Sequence, residues 1–127
     1  MRAQDIGALG ESIAADFLKR NGFRILERNR HESHNELDII AANREFLLFV
    51  EVKTRSTSPS GNASYFSAAA AVTRKKQGRL LAAASQYLRK HPKYSSLQPR
   101  LDVIEIYLDH MTNAILRINH IENAFGR

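Results

Sequence analysis

The chain of 127 residues contains no cysteine, which excludes disulfide bonds and thiolate metal sites and is compatible with a reducing compartment. It also lacks any apolar run approaching the roughly 20 residues needed to cross a bilayer. The first ten residues have no apolar core of signal-peptide length. We therefore expect a soluble cytoplasmic protein that does not associate with a membrane.

Acidic residues are absent between Glu51 and Asp102, although the chain as a whole carries 13 of them. Basic residues fill that interval, and they contribute to a net charge of +6. They are Lys53, Arg55, Arg74, Lys75, Lys76, Arg79, Arg89, Lys90, Lys93 and Arg100. Such asymmetry favours a surface that attracts polyanions, and the alternative is solubilising charge on a helix face.

The length and the apolar fraction of 43% fit one globular domain spanning residues 1–127. Apolar periodicity predicts the order α-β-β-β-α-β-β, which is typical of an α/β fold with a mixed sheet and flanking helices. The predicted elements are helices over 4–21 and 67–90 and strands over 23–27, 37–42, 46–54, 101–108 and 114–118. A short final helix is predicted over 120–125.

Two strands carry the residues with the most chemical information. Asp38 lies in the second strand, and Glu51, Val52 and Lys53 follow the apolar start of the third. If a tight turn at residues 43–44 pairs these strands, Asp38 and Glu51 converge near one end of the hairpin. Two adjacent carboxylates repel unless a proton or cation lies between them, which favours a divalent metal. The Val52 carbonyl could add a ligand, and waters would complete a magnesium shell.

The alternative is that Glu51 and Lys53 form a salt pair and that Asp38 is an exposed strand charge. The position of these residues favours the metal, because they directly follow the apolar run Phe46–Val50. Charges near the buried end of a central strand are costly unless they are paired or metal-bound.

Several further residues have two interpretations each. Glu11, at the edge of the first helix's apolar face, could be an additional carboxylate of the site or a solvated glutamate. The residues that open the second long helix could contact a phosphate or face solvent: Arg74, Lys75, Lys76 and Gln77. Arg100 and Asp102 are expected to form a structural ion pair by default, and a phosphate contact by Arg100 is the second reading.

Short motifs are distributed along nearly the whole chain: Gly10-Glu11, Asn29, Glu36–Ile40, Phe49–Arg55, Ala71–Thr73, Lys76-Gln77 and Arg100–Val103. Together they resemble the YraN family of bacterial proteins. That family is grouped with the restriction-endonuclease-like nucleases and is similar to archaeal Holliday-junction resolvases. The resemblance implies a mixed central sheet flanked by helices. It also implies a Mg²⁺-type site of Asp38, Glu51 and Lys53, with Glu11 in the position of the resolvases' helix glutamate.

The leading hypothesis is a metal-dependent nuclease that acts on DNA, with branched or otherwise structured DNA as its narrower form. Asp38, Glu51 and the Val52 carbonyl bind Mg²⁺ or Mn²⁺, Lys53 orients the water or stabilises the transition state, and Glu11 assists. The expected contacts to the phosphate backbone come from Arg55, Arg74, Lys75, Lys76, Gln77, Arg79 and Arg100.

Two alternatives belong to other functional classes. One is a non-catalytic nucleic-acid-binding module that keeps the fold, and the other is a protein-interaction domain whose basic segment faces an acidic partner. A homodimer would suit a symmetric junction, although the sequence carries no dimer signature.

Overall fold

The predicted order of elements is confirmed in the structure, a computed structural model that describes residues 3–32, 35–58 and 74–124. The helices are α1 (Ala3–Arg20) and α2 (Arg74–Lys90). The strands are β1 (Arg24–Glu32), β2 (Asn35–Ala42), β3 (Phe46–Thr57), β4 (Gln98–Asp109) and β5 (Ile115–Ile121). A single turn of 3₁₀ helix, Pro92–Tyr94, lies between α2 and β4.

The five strands form one mixed sheet in the spatial order β1-β2-β3-β4-β5. The pairs β1–β2 and β2–β3 are antiparallel, β3 and β4 are parallel, and β5 is antiparallel to β4. The connection between the parallel pair contains α2, as expected because parallel neighbours need a long crossover. Strand β3 is therefore central.

The two helices cover opposite faces of the sheet. On the α1 face, Ala14 and Leu18 pack in a cluster with Leu48 and Val50 of β3. On the α2 face, Tyr87 packs with Leu47 and Phe49, among others. Residues Leu47–Val50 are at most 2% exposed, so the buried, central position expected for this apolar run is confirmed. The alternation places the following odd position, residue 51, on the α2 face.

Most strands are longer than the sequence pattern indicates, and one predicted helix is wrong. Strand β5 continues through Ile121, and residues 122–124 form a turn instead of the helix predicted over 120–125. The turn is held to β4, because the Asn123 N–H donates to Asp102 Oδ1 at 2.8 Å and the Ala124 N–H donates to the Leu101 carbonyl at 2.8 Å. Residues 67–73 of the predicted second helix lie outside the described residues.

Neither of the two helices that the structure describes combines the length and the apolarity needed to cross a membrane.

Helix α1 approaches β3 closely at Gly10. A Cβ built on Gly10 would overlap the Thr54 side chain, whose Cβ and Cγ2 would lie only 2.8 Å away. The absence of a side chain at Gly10 therefore sets how near α1 comes to β3, and with it the position of the next residue, Glu11.

Replacing Gly10 with alanine is expected to lower the free energy of unfolding by about 1–3 kcal/mol, because the new methyl group forces α1 away from Thr54. The matched control is Gly7→Ala in the same helix, where a Cβ meets nothing within 4 Å. Gly7→Ala should raise stability by up to about 1 kcal/mol through helix propensity. Urea denaturation measures both, and equal stability of the two variants would contradict this packing.

Candidate metal centre

The ladder between β2 and β3 ends at the pair Ile39–Val50. The two predicted carboxylates, Asp38 and Glu51, are the next residues beyond this pair. Beyond that point the Asp38 side chain replaces the missing backbone partner: its Oδ2 accepts the Val52 N–H at 2.9 Å. The N–H and carbonyl of one strand residue project to the same edge. The Val52 carbonyl therefore lies on the edge that faces Asp38, as a ligand role would require.

Asp38 is half-buried among other acids. Burial raises the pKa of Asp38 to about 6, against an opposing effect of the hydrogen bond from Val52. The negative charges of Glu11, Glu51 and Glu36 act in the same direction as burial. We call these mutually repelling acids the carboxylate cluster: Glu11, Glu36, Asp38 and Glu51.

Glu51 is the most buried member of the carboxylate cluster, with 8% exposure. Its Oε1 forms an ion pair with the Lys76 ammonium of α2. Its Oε2 is buried and has no hydrogen-bond partner among the described residues. A buried carboxylate oxygen without a donor is costly, so this atom is available to a further ligand.

Glu11 reaches the cluster from α1, on the opposite face of the sheet. Burial raises the pKa of Glu11 and the charge of Glu36 acts likewise, whereas the Arg28 guanidinium lowers it. When the Asn29 amide is turned with its nitrogen toward the acids, Nδ2 lies 2.9 and 3.1 Å from the Glu11 oxygens and 3.1 Å from Glu36 Oε1.

Asn29 is a residue of this region that the sequence pattern did not assign to the site. Its neighbours Arg28 and Arg30 pair with Ile39 and Leu37, so Asn29 lies opposite Asp38. Its φ of 53° is left-handed, a conformation that asparagine tolerates better than most residues. Asn29 is one of the motif residues that resemble the YraN family, but nothing in its sequence context indicates a contact with Glu11 and Glu36.

The donor set fits a hard divalent cation. Mg²⁺ takes oxygen ligands, commonly one or two carboxylates, and completes its shell with water. Asp38 and Glu51 would supply two carboxylates, and the Val52 carbonyl would supply one further protein oxygen. Within residues 3–32, 35–58 and 74–124, no group of three or more acidic or histidine side chains is arranged to hold an ion. The Glu11 carboxylate meets the Asn29 amide.

Lys53 follows Glu51 on the same face of β3 and is half-buried. It makes no hydrogen bond or ion pair with another residue of the described part of the chain. In the sheet, Lys53 pairs with Glu105, and Glu105 pairs with Asn119. The ammonium therefore belongs to a row of polar residues next to the carboxylates, without a fixed partner in the described residues.

The rows beyond Glu51 contain polar residues that sequence analysis missed. Glu105 is fully buried and accepts hydrogen bonds from the Tyr107 hydroxyl at 3.1 Å and from Asn119 Nδ2 at 2.8 Å. Tyr107 pairs with Arg55 on one side and Arg117 on the other. In-register residues share a face of the sheet, so Arg117 joins Arg55 on the face of Glu51.

The buried Tyr107 hydroxyl stays protonated. Burial raises the pKa of Tyr107 to about 12, with the hydrogen bond to Glu105 in the same direction. The positive charges of Arg55 and Arg117, its neighbours in the sheet, lower this pKa. Alternation along β4 places Glu105 and Tyr107 on one face, but the sequence does not indicate which residues of β3 and β5 lie beside them.

The basic residues predicted at the start of the second long helix lie on α2. Arg74, Lys75 and Arg79 are exposed, and Gln77 is half-buried. Lys76 is also exposed, yet it reaches back to Glu51 rather than only facing solvent. The contact places this end of α2, with its positive charge, beside the carboxylate cluster.

Arg100 lies in a separate network. Its guanidinium donates to both oxygens of Asp102, with Nη2 at 2.9 Å from Oδ2, and stacks on the Phe46 ring at 4.5 Å. Asp102 is fully buried and also bonds His120 Nε2 at 2.7 Å. Burial alone would raise the pKa of Asp102, but the bonds from His120 and Arg100 lower it. This geometry favours the structural ion pair, so we leave Arg100 out of the candidate nucleic-acid surface.

Stability of the metal-free protein should depend on the ionisation of Asp38. Its folded pKa of about 6 lies above the reference value of 3.8, so between these pH values the folded state holds a proton that the unfolded chain releases. Stability should therefore fall as pH rises through this interval. Asp38→Asn should remove most of this fall and be more stable than wild type at pH 8 by about 1–3 kcal/mol.

Urea denaturation in EDTA at pH 4, 6 and 8 measures this difference. Asp16→Asn, on the exposed side of α1, is the control and should leave the pH dependence unchanged. A variant Asp38→Asn that is less stable than wild type at pH 8 would contradict the crowding of acids around residue 38.

Comparison with known proteins identifies the family of this chain. The model of the uncharacterised protein family UPF0102 matches residues 10–106. A UPF0102 protein of Chlorobium phaeobacteroides is 43% identical over 126 residues, which cover 95% of this chain and 94% of the relative. UPF0102 proteins of Clostridium botulinum and Caldanaerobacter subterraneus are 39% and 38% identical, over 96% and 94% of this chain and over 94% and 93% of the relatives. The chain belongs to the family UPF0102, the YraN family that its motifs resemble.

Proposed function

We propose that this protein is a metal-dependent nuclease that hydrolyses phosphodiester bonds in DNA. The observation that carries the proposal is the placement of two carboxylates at the end of the β2–β3 ladder. Asp38 is oriented there by the Val52 N–H, and the neighbouring Glu51 has a buried oxygen with no hydrogen-bond donor among the described residues.

Asp38, Glu51 and the Val52 carbonyl would hold Mg²⁺ or Mn²⁺ at this point. A bound divalent cation activates a water and neutralises the charge that develops on the phosphate. The hydrogen bond from Val52 fixes the Asp38 carboxylate in one orientation, so this ligand is oriented before the ion arrives. Glu11 assists from α1 by adding negative charge at the margin of the site.

Lys53 is the residue proposed to act on the reacting groups. Its ammonium is adjacent to Glu51 on the same face and makes no ion pair within the described residues. It is therefore suited to orient the attacking water or to stabilise the negative charge on the phosphate.

The DNA backbone would be held by cations on both sides of the carboxylates. Arg74, Lys75 and Arg79 are exposed on α2, and Arg55 and Arg117 are exposed on the sheet. Contacts to phosphates give affinity and register without reading base sequence. Branched or otherwise structured DNA is the narrower form of the proposal, and it rests on the resemblance to junction resolvases; a homodimer would suit such a substrate.

A second candidate is a nucleic-acid-binding module without catalysis. The ion pair between Lys76 and Glu51 favours it, because a lysine already neutralises one of the two ligands. This function predicts strongly salt-dependent DNA binding without any metal requirement. The nuclease hypothesis predicts instead that cleavage requires a divalent cation.

The test is cleavage of labelled linear duplex, single-stranded DNA and four-way junctions with Mg²⁺ or Mn²⁺. Wild type should cleave at least one form, and EDTA should stop cleavage. Lys53→Ala should lose roughly 100-fold or more of the rate while keeping its DNA affinity, because Lys53 acts on the transition state.

The matched control is Lys93→Ala, which removes the same charge from the 3₁₀ turn near the β2–β3 connection, and it should cleave like wild type. If wild type cleaves none of these substrates with any divalent metal, the nuclease proposal fails. DNA binding that persists without cleavage would then favour the non-catalytic module.

A further inference from the structure

We propose that the Lys76 ammonium and the divalent cation are alternative partners of Glu51, so that metal binding releases Lys76 to a DNA phosphate. The inference rests on the proposed function and adds a residue that couples the two ligands. Metal and DNA would then bind cooperatively, because each favours the state in which Lys76 has left Glu51.

The first supporting observation is the unequal burial of the two charges. The Glu51 side chain is 8% exposed, whereas the Lys76 side chain is 49% exposed. A lysine has a flexible stem and a compact charge that can move without disturbing the helix that carries it. The counter-ion of this buried acid can therefore depart, whereas the acid itself cannot.

The second observation is that the Lys76–Glu51 ion pair neutralises only part of the negative charge of Glu51 and Asp38. Lys76 contacts Oε1 of Glu51, and Oε2 remains without a donor in the part of the chain that the structure describes. The charges that act most strongly on Asp38 are all negative. One monovalent ammonium on Glu51 therefore satisfies the pair of acids less fully than an ion that binds both carboxylates.

The third observation is the surroundings of Lys76 on α2. Arg74, Lys75 and Arg79 are exposed near it and are proposed to hold DNA. An ammonium that leaves Glu51 joins these cations at the margin of the site. Two cations close together on Glu51 would repel each other, so retention of Lys76 opposes metal binding.

Calorimetric titration with Mn²⁺ in the absence of DNA tests the competition. Lys76→Met should bind Mn²⁺ about fivefold to thirtyfold tighter than wild type, because no competing cation must be displaced. Lys76→Arg keeps a cation at this position and should bind Mn²⁺ more weakly than Lys76→Met. Lys75→Met is the matched control: it removes the same charge from the adjacent exposed position and should stay within about twofold of wild type.

Loss of the counter-ion could destabilise the fold, since an unpaired buried Glu51 is costly. Thermal unfolding is therefore measured for each variant. Lys76→Gln keeps a hydrogen-bond donor for Glu51 without the positive charge, and it should also bind Mn²⁺ more tightly than wild type. If Lys76→Met does not fold, Lys76→Gln decides the outcome.

DNA affinity provides an independent measurement. In a Lys53→Ala background, which keeps the DNA intact, adding Mn²⁺ should tighten DNA binding. Lys76→Met should lose most of that gain and change little in EDTA. Lys75→Met should weaken binding equally with and without the metal.

The results separate this inference from the proposed function. Wild-type protein that binds no Mn²⁺ overturns both. Wild-type protein that binds Mn²⁺, with folded Lys76→Met and Lys76→Gln variants that bind it no more tightly, overturns the competition alone and leaves the proposed nuclease site intact.

Discussion

The hydrogen bond from the Val52 N–H to Asp38 Oδ2 is the interaction on which the candidate site depends. It occurs where the β2–β3 ladder stops, so a side chain takes over the role of the neighbouring strand. This substitution brings a carboxylate to the main chain between Glu51 and Lys53. The Val52 carbonyl projects to the same edge as the Val52 N–H, so this edge of the strand presents oxygen atoms of both Asp38 and Val52.

The consequence is a local concentration of negative charge within a basic protein. The chain carries a net charge of +6, yet burial, together with the negative charges of Glu11, Glu51 and Glu36, raises the pKa of Asp38 to about 6. Groups held in such an unfavourable environment cost stability and are typical of functional sites. Lys76 pairs with Glu51, and the Arg28 guanidinium lowers the pKa of Glu11. The charges that act most strongly on the pKa of Asp38, in contrast, are all negative.

Local patterns in the sequence predicted the order of the main helices and strands and the position of Asp38 beside residues 51–53, because a short hairpin and strand alternation bring these segments together. Contacts between distant segments were not predictable. Arg117 stands beside Tyr107 only through the β4–β5 register, and Lys76 reaches Glu51 only because α2 packs across β2 and β3. The final helix was predicted wrongly because buried Asp102 binds the Asn123 N–H and holds that segment as a turn.

The most direct measurement of the central claim is a crystal structure of the protein soaked in Mn²⁺, with the ion located by anomalous scattering. The account predicts one peak at coordination distance, about 2.1 Å, from a carboxylate oxygen of both Asp38 and Glu51. The Val52 carbonyl should face the same ion. A peak that contacts only one of the two acids, or no peak in this region at a saturating concentration of Mn²⁺, would contradict the account.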